Sequence, residues 1–216
     1  MKKLYLLSYP KSGSNWLTYC IENIFKTNVV GATKEYTVFG HSHNINFIDD
    51  LVVCKGHGHM KNEWIEYDGL IFLIRDYKNS VVPFSNFNMS LVLSCLSGVR
   101  KNIPDYIHGL KYFDSFNKPK VMIIYEQLIK SPETELNKIS TFFSNFNIDT
   151  SNIQNFIDNI ENHKINSMKK YRPGKRKNNK SCSENQLEKI RTYLKKNFLS
   201  IYEKYLLVYD DKNTDR

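Results

Sequence analysis

The segment from Tyr9 to Trp16, Tyr-Pro-Lys-Ser-Gly-Ser-Asn-Trp, has the residue types and spacing to hold a phosphate. It lies between a short apolar run, Leu4 to Leu7, and the start of a helical pattern. The first N–H groups of a helix have no intrahelical partner and point out of its start. Gly13 lets the backbone come close to a ligand, Lys11 adds a positive charge, and Ser12 and Ser14 add hydroxyl donors. Such a combination is an anion cradle at a helix N-terminus. It is not a Walker A loop, because the G-x-x-x-x-G-K-[ST] spacing is absent. Without its neighbours, the same Gly-Ser turn would be an ordinary strand-to-helix connection with a capping serine.

A cradle of this kind needs a strand leading in and a helix leading out. Leu4 to Leu7 reads as a buried strand, and from Asn15 to about Lys26 the residues Trp16, Leu17, Cys20, Ile21, Ile24 and Phe25 recur at helical spacing. Residues 28–50 are polar and irregular and predict no element. Leu51 to Cys54 is a second short strand, running into Lys55-Gly56-His57-Gly58-His59, a loop by its glycines. Leu70 to Ile74 is a third strand, ending at Arg75-Asp76. A helical stretch interrupted by Pro83 follows to about Leu96, and another helix covers 103–116. Lys120 to Tyr125 is a fourth strand, and Ser131-Pro132-Glu133 opens a helix. Further helices are predicted over 151–162, Ser183 to Lys196 and Phe198 to Leu207, with Ser183 to Gln186 as a capping box. Residues 169–180 are basic and turn-rich. Short buried strands alternating with helices predict an α/β fold, a central parallel sheet flanked by helices. Ligands of such sheets bind at the carboxyl ends of the strands, where the loops 9–15, 55–59 and 75–76 would meet. The expected organisation is one domain over 1–210 and a polar tail over 211–216.

The bulk numbers agree with a single core and a polyanionic partner. The chain has 216 residues, 41% of them hydrophobic, and a net charge of +9 from 31 basic and 22 acidic side chains. Its four cysteines form no C-x-x-C pair and no zinc-spaced cluster, so neither a disulfide framework nor a metal site is expected. The apolar run after Lys2-Lys3 is too short for a signal peptide, and no stretch reaches membrane-spanning length. A cytoplasmic protein without a membrane anchor is the expectation.

The Tyr9 to Trp16 octet closely resembles the 5′-phosphosulfate loop of cytosolic PAPS-dependent sulfotransferases, Y-P-K-[SA]-G-[ST]-[TN]-W (PAPS is 3′-phosphoadenosine 5′-phosphosulfate). The likeness continues along the chain. Phe72-Leu73-Ile74-Arg75-Asp76 and the helix after it resemble that family's 3′-phosphate motif. Arg75 would then grip the 3′-phosphate with its guanidinium fork. The family places a serine eight residues after that arginine, where this chain has Pro83; Ser85 or Ser80 is the substitute, Ser85 being preferred. Lys55-Gly56-His57 stands where the family has K-T-H, which makes His57 the general base and leaves Lys55 to stabilise charge or orient the acceptor. His59 and Glu63 are rival bases. Tyr125, in Tyr-Glu-Gln-Leu, resembles a tyrosine near the adenine, and Trp16 the tryptophan that stacks on it; a core tryptophan is the competing reading. Ser167-Met168 and Arg172-Pro173-Gly174-Lys175 resemble two late features, a methionine near the base and a loop that closes over the 3′-phosphate.

The resemblance implies a single-domain sulfotransferase with a P-loop-like phosphosulfate-binding loop after its first strand. PAPS would be the donor co-substrate and PAP (adenosine 3′,5′-bisphosphate) the product, with no metal. Lys11, Ser12, Gly13, Ser14, Asn15, Trp16, Arg75, Ser85, Tyr125, Met168, Arg172 and Gly174 would form the donor site. His57, Lys11 and Lys55 would carry the transfer to the hydroxyl or amine of a small-molecule acceptor. No nucleic acid or membrane partner is expected. A catalytically inactive nucleotide- or nucleic-acid-binding relative and a P-loop kinase-like phosphotransferase are the alternatives.

Overall fold

Five strands and the helices between them build the protein, and the alternation of side chains along the first strand explains the layers. The computed structural model describes residues 2–31, 51–57, 66–97, 105–171 and 182–210. His59, Glu63, Arg172 and Gly174 lie outside them. Strand β1 spans Lys2–Ser8. Leu4 and Leu6 face one core and Tyr5 and Leu7 the other, as a period of two requires. Helix α1, Ser14–Phe25, packs Leu17, Ile21 and Ile24 into the first core.

Strand β2 is Asn28–Gly31 and β3 is Leu51–His57. β4 is Gly69–Ile74 and β5 is Lys120–Ile124. All pair in parallel, in the order β2-β3-β1-β4-β5. Between β4 and β5 lie α2 (Tyr77–Phe84), α3 (Met89–Ser97) and α4 (Tyr106–Ser115). Four helices follow β5: α5 (Tyr125–Lys130), α6 (Pro132–Ser144), α7 (Ile153–Asp158) and α8 (Ile160–Tyr171). Helix α9, Glu184–Ile201, opens on the Ser183/Gln186 capping box that the sequence predicts. Phe198 breaks its geometry where the sequence separates two helices. A π-helical turn, Tyr202–Leu206, and a last helical turn, α10 (Leu207–Asp210), complete the described chain. Helices α1, α6 and α7 cover one face of the sheet; α2, α3, α4 and α9 cover the other. No helix among the described residues is long and apolar enough to cross a membrane.

The structure departs from the sequence reading at several points. Tyr125 opens helix α5 and does not close the fourth strand. A strand, β2, lies in the polar segment from 28 onward. Lys55, Gly56 and His57 are not loop but the end of β3. Gly56 fits inside that strand because a Cβ there would sit 2.4 Å from the Tyr5 hydroxyl oxygen, a contact only glycine avoids. Finally, α8 runs on through Lys169 and Lys170, which the sequence assigns to a basic loop.

The order of strands decides where a ligand would sit. After β1 the chain builds β2 and β3 on one side, then crosses to build β4 and β5 on the other. The reversal opens a crevice at the carboxyl end of β1, the expected binding position in such sheets.

Candidate functional site

Register brings the candidate residues to one edge. Ser8 at the end of β1 pairs with His57 on one side and Leu73 on the other. Ile74 pairs with Ile124, so Arg75 and Tyr125 leave neighbouring strands together. The octet loop rises from β1 between them.

Two residues of the loop adopt left-handed backbone, Lys11 at φ 64° and Gly13 at φ 85°. Gly13 starts α1, and no side chain caps that helix start. The Ser12 hydroxyl is fully buried and has no hydrogen-bond partner among the described residues, and the Trp16 indole N–H has none either. Lys11 extends its ammonium to the Pro83 carbonyl oxygen, 2.9 Å away, at the carboxyl end of α2. A cation is favoured there by the negative end of the helix dipole.

Gly13 lines the cleft described below, and its missing side chain also makes room for a neighbour. The Tyr125 ring occupies that space, and a Cβ on Gly13 would lie 2.0 Å from its nearest carbon. Gly13→Ala therefore combines left-handed strain with a steric clash. It is expected to destabilise the fold by about 2–4 kcal/mol, read as a lower denaturation midpoint.

His57 and Lys55 stand at the end of β3. The His57 Nδ1 lies 3.0 Å from the Ser8 carbonyl oxygen and 3.2 Å from the Ser8 hydroxyl. A carbonyl can only accept, so Nδ1 carries the proton and Nε2 keeps the free lone pair. His57 is an exposed residue at the strand end. Desolvation pulls its pKa below the ordinary histidine value, the Ser8 hydrogen bond opposes this, and the Lys55 charge adds to the lowering. Lys55 is 7% exposed and donates to the Asn15 side-chain oxygen at 2.8 Å. Burial pulls its pKa down to about 8, against the pull of Glu22.

Arg75 follows β4. Its guanidinium lies 4.4 Å above the Tyr125 ring centre, and its Nη1 donates to the Lys11 carbonyl oxygen at 2.6 Å. The arginine fork, the Lys11 loop and the Tyr125 ring thus form one stack. Beside it, a cleft of about 200 Å³ is lined by Gly13, Asn15, Trp16, Tyr125, Met168 and Tyr171, among others. Met168 is 57% exposed at its rim. Trp16 is both a core and a cleft residue: it stacks on Tyr19 at 5.8 Å and 14° and packs near Phe156. Neither His57 nor Arg75 lines this cleft.

Ser80 and Ser85 are both fully buried. Their hydroxyls donate to local carbonyl oxygens, Ser80 to Asp76 at 3.0 Å and Ser85 to Val82 at 2.8 Å. A contact from either to a ligand needs that local bond to be given up.

The sequence reading passed over Glu22 and Glu126. Glu22 is 1% exposed and accepts from Lys170 at 3.1 Å and Tyr171 at 3.3 Å, tying α1 to the end of α8. Burial raises its pKa, and Lys170 opposes that rise. Glu126 accepts the Asp76 backbone N–H at 3.1 Å. It lies in the Tyr-Glu-Gln-Leu segment already singled out for Tyr125, so a signal for it existed.

No protein-family model matches this sequence, and no curated protein matches it either. Among solved structures, the fold resembles that of the mouse sulfotransferase SULT7A1 complexed with PAP, with a TM-score of 0.59 at 14% identity. The match covers 90% of this chain and 83% of that one. At this identity the likeness establishes the fold, a single α/β domain with a five-stranded parallel sheet flanked by helices, matching the sulfotransferase fold.

Proposed function

We propose that the protein is a PAPS-dependent sulfotransferase, transferring a sulfuryl group to a hydroxyl or amine of a small acceptor. The observation that carries this reading is the meeting of Lys11, His57 and Arg75 at the carboxyl ends of β1, β3 and β4. The residues present suit the nucleotide. The Ser12 hydroxyl and the Trp16 indole N–H are buried without a hydrogen-bond partner among the described residues, the helix start between them is uncapped, and an aromatic-lined cleft opens beside it. The mouse enzyme of the same fold was crystallised with PAP.

Bound PAPS would supply the sulfuryl group. The protein would supply position, charge and a proton acceptor. The loop 11–15 would hold the 5′-phosphosulfate, and Arg75 the 3′-phosphate. Tyr125, Trp16 and Met168 would bound the adenine. His57, with Nδ1 turned to Ser8, would take the acceptor's proton on Nε2. Lys11 would release Pro83 and neutralise the leaving oxygen. Lys55, held by Asn15, would keep a positive charge beside the transfer path.

Isothermal titration with PAP, 5′-AMP and ATP tests the donor site. Wild-type protein is expected to prefer PAP clearly, and Arg75→Met to lose most of that preference while still binding 5′-AMP. Equal binding of PAP and 5′-AMP by the wild type would refute the reading. Binding of oligonucleotides with strong salt dependence and no turnover would favour a nucleic-acid-binding module instead.

A further inference from the structure

We propose that Glu126 is a positioning residue that sets the orientation of the Arg75 guanidinium, and through it the preference for a 3′-phosphate; this rests on the donor-site reading above. The sheet brings the pair together. Ile74 and Ile124 are register partners, so the chain leaves β4 and β5 side by side. The first two residues of α5 then bracket the arginine. Tyr125 lies against the flat face of the guanidinium at 4.4 Å. Glu126 stands at its inner edge, with Oε1 4.0 Å from Nε.

That carboxylate is itself anchored. Its Oε1 accepts the backbone N–H of Asp76, the residue after the arginine, at 3.1 Å. On the far side of the same turn, the Arg75 carbonyl oxygen accepts the Tyr106 hydroxyl at 2.6 Å. Backbone and side chain of Arg75 are thus fixed from both flanks. The remaining Nη1 contact runs to the Lys11 carbonyl, which links the arginine to the octet loop.

Two orphan atoms give the pair its meaning. The Arg75 Nε and the Glu126 Oε2 are both buried, and neither has a hydrogen-bond partner among the described residues. One is a donor and the other an acceptor. The nearer carboxylate oxygen, Oε1, is 4.0 Å from Nε and already holds the Asp76 N–H, so a shift of about 1 Å would let the carboxylate take Nε as well, as a charge-assisted hydrogen bond. A phosphate pulling on the outer edge of the fork would be met by a carboxylate holding the inner edge.

A carboxylate beside an anion-binding arginine also has a cost, because it repels the anion. Charge and geometry therefore predict opposite signs for Glu126→Gln. The amide keeps an oxygen for the Asp76 N–H and removes the negative charge. If Glu126 acts only through its charge, PAP should bind more tightly to the variant. If it orients Arg75, the amide offers that edge no anionic acceptor and PAP should bind more weakly.

The experiment is calorimetric titration of wild type and Glu126→Gln with PAP and with 5′-AMP, next to thermal denaturation of each. We expect roughly 10-fold weaker PAP binding, unchanged 5′-AMP binding and a melting midpoint close to wild type. A merely structural role would lower the midpoint, or weaken both nucleotides equally. PAP affinity unchanged or raised in the variant overturns the inference. Should Glu126→Gln not fold, Glu126→Asp keeps the charge but draws it back from Nε, and the same selective loss is expected. A wild type that fails to prefer PAP removes the donor-site reading itself, a result visible before any variant is made.

Discussion

Replacing His57 with alanine is expected to reduce sulfuryl transfer by roughly 100-fold or more while leaving PAP affinity within about threefold of wild type. The asymmetry follows from the site. His57 is on β3, outside the nucleotide cleft, with Nδ1 against Ser8, which leaves Nε2 as the basic nitrogen. A base so placed acts on the acceptor's proton, not on the nucleotide. Turnover at saturating donor and calorimetry with PAP are the two readouts. Equal loss in both would show that the alanine had collapsed the strand end and was not simply missing a base.

The pH dependence of the same reaction follows from two shifts. His57 must be neutral to accept a proton, and its pKa lies below the ordinary histidine value, so activity should fall only as pH drops below about 6.5. Lys55 must be charged to act as a cation, and its pKa lies at about 8, so activity should fall again as pH rises through that value. The profile of kcat/KM is therefore a bell with its plateau between. Loss of the acid limb alone in His57→Ala, and of the alkaline limb alone in Lys55→Gln, would assign each limb.

Much of this site was legible because its signals are local. The octet carries its own chemistry in eight consecutive residues, and Ser183 reaches its capping partner within three. The β strands announced themselves as short apolar runs, and their parallel arrangement followed from the alternation with helices. What stayed hidden is long-range. Val29 and Val30 are too short an apolar pair to declare β2 by themselves; the edge of β3 makes it a strand by pairing with it. Gly56 reads as a loop residue until Tyr5, on the neighbouring strand and far off in sequence, is seen lying on it. The same holds for Glu22 and Glu126, whose partners are 148 and 50 residues away. Nor does the octet alone reveal that the Tyr125 ring, delivered by the β4/β5 register, lies against Gly13.

Lys11 offers the sharper separation of stability from function. It holds a left-handed backbone at φ 64°, a conformation that costs an ordinary residue about 1–2 kcal/mol and that asparagine tolerates better. Its side chain's exposed hydrogen bond to Pro83 returns little of that cost, and the Arg75 bond is to its backbone carbonyl, which any residue would supply. A strained residue kept at a loop tip points to a use beyond folding. Lys11→Asn should therefore leave the melting midpoint unchanged or higher, because the strain is eased. Turnover should fall by roughly 100-fold, because no cation remains to neutralise the leaving oxygen. Lys11→Arg tests whether charge alone suffices: a planar fork does not replace a compact ammonium in so tight a turn, and only partial recovery is expected. The result that would remove Lys11 from the chemistry is a lower melting midpoint with turnover intact. In that case the hydrogen bond to Pro83 is its whole role, and the loop is held in its left-handed form for the sake of α2.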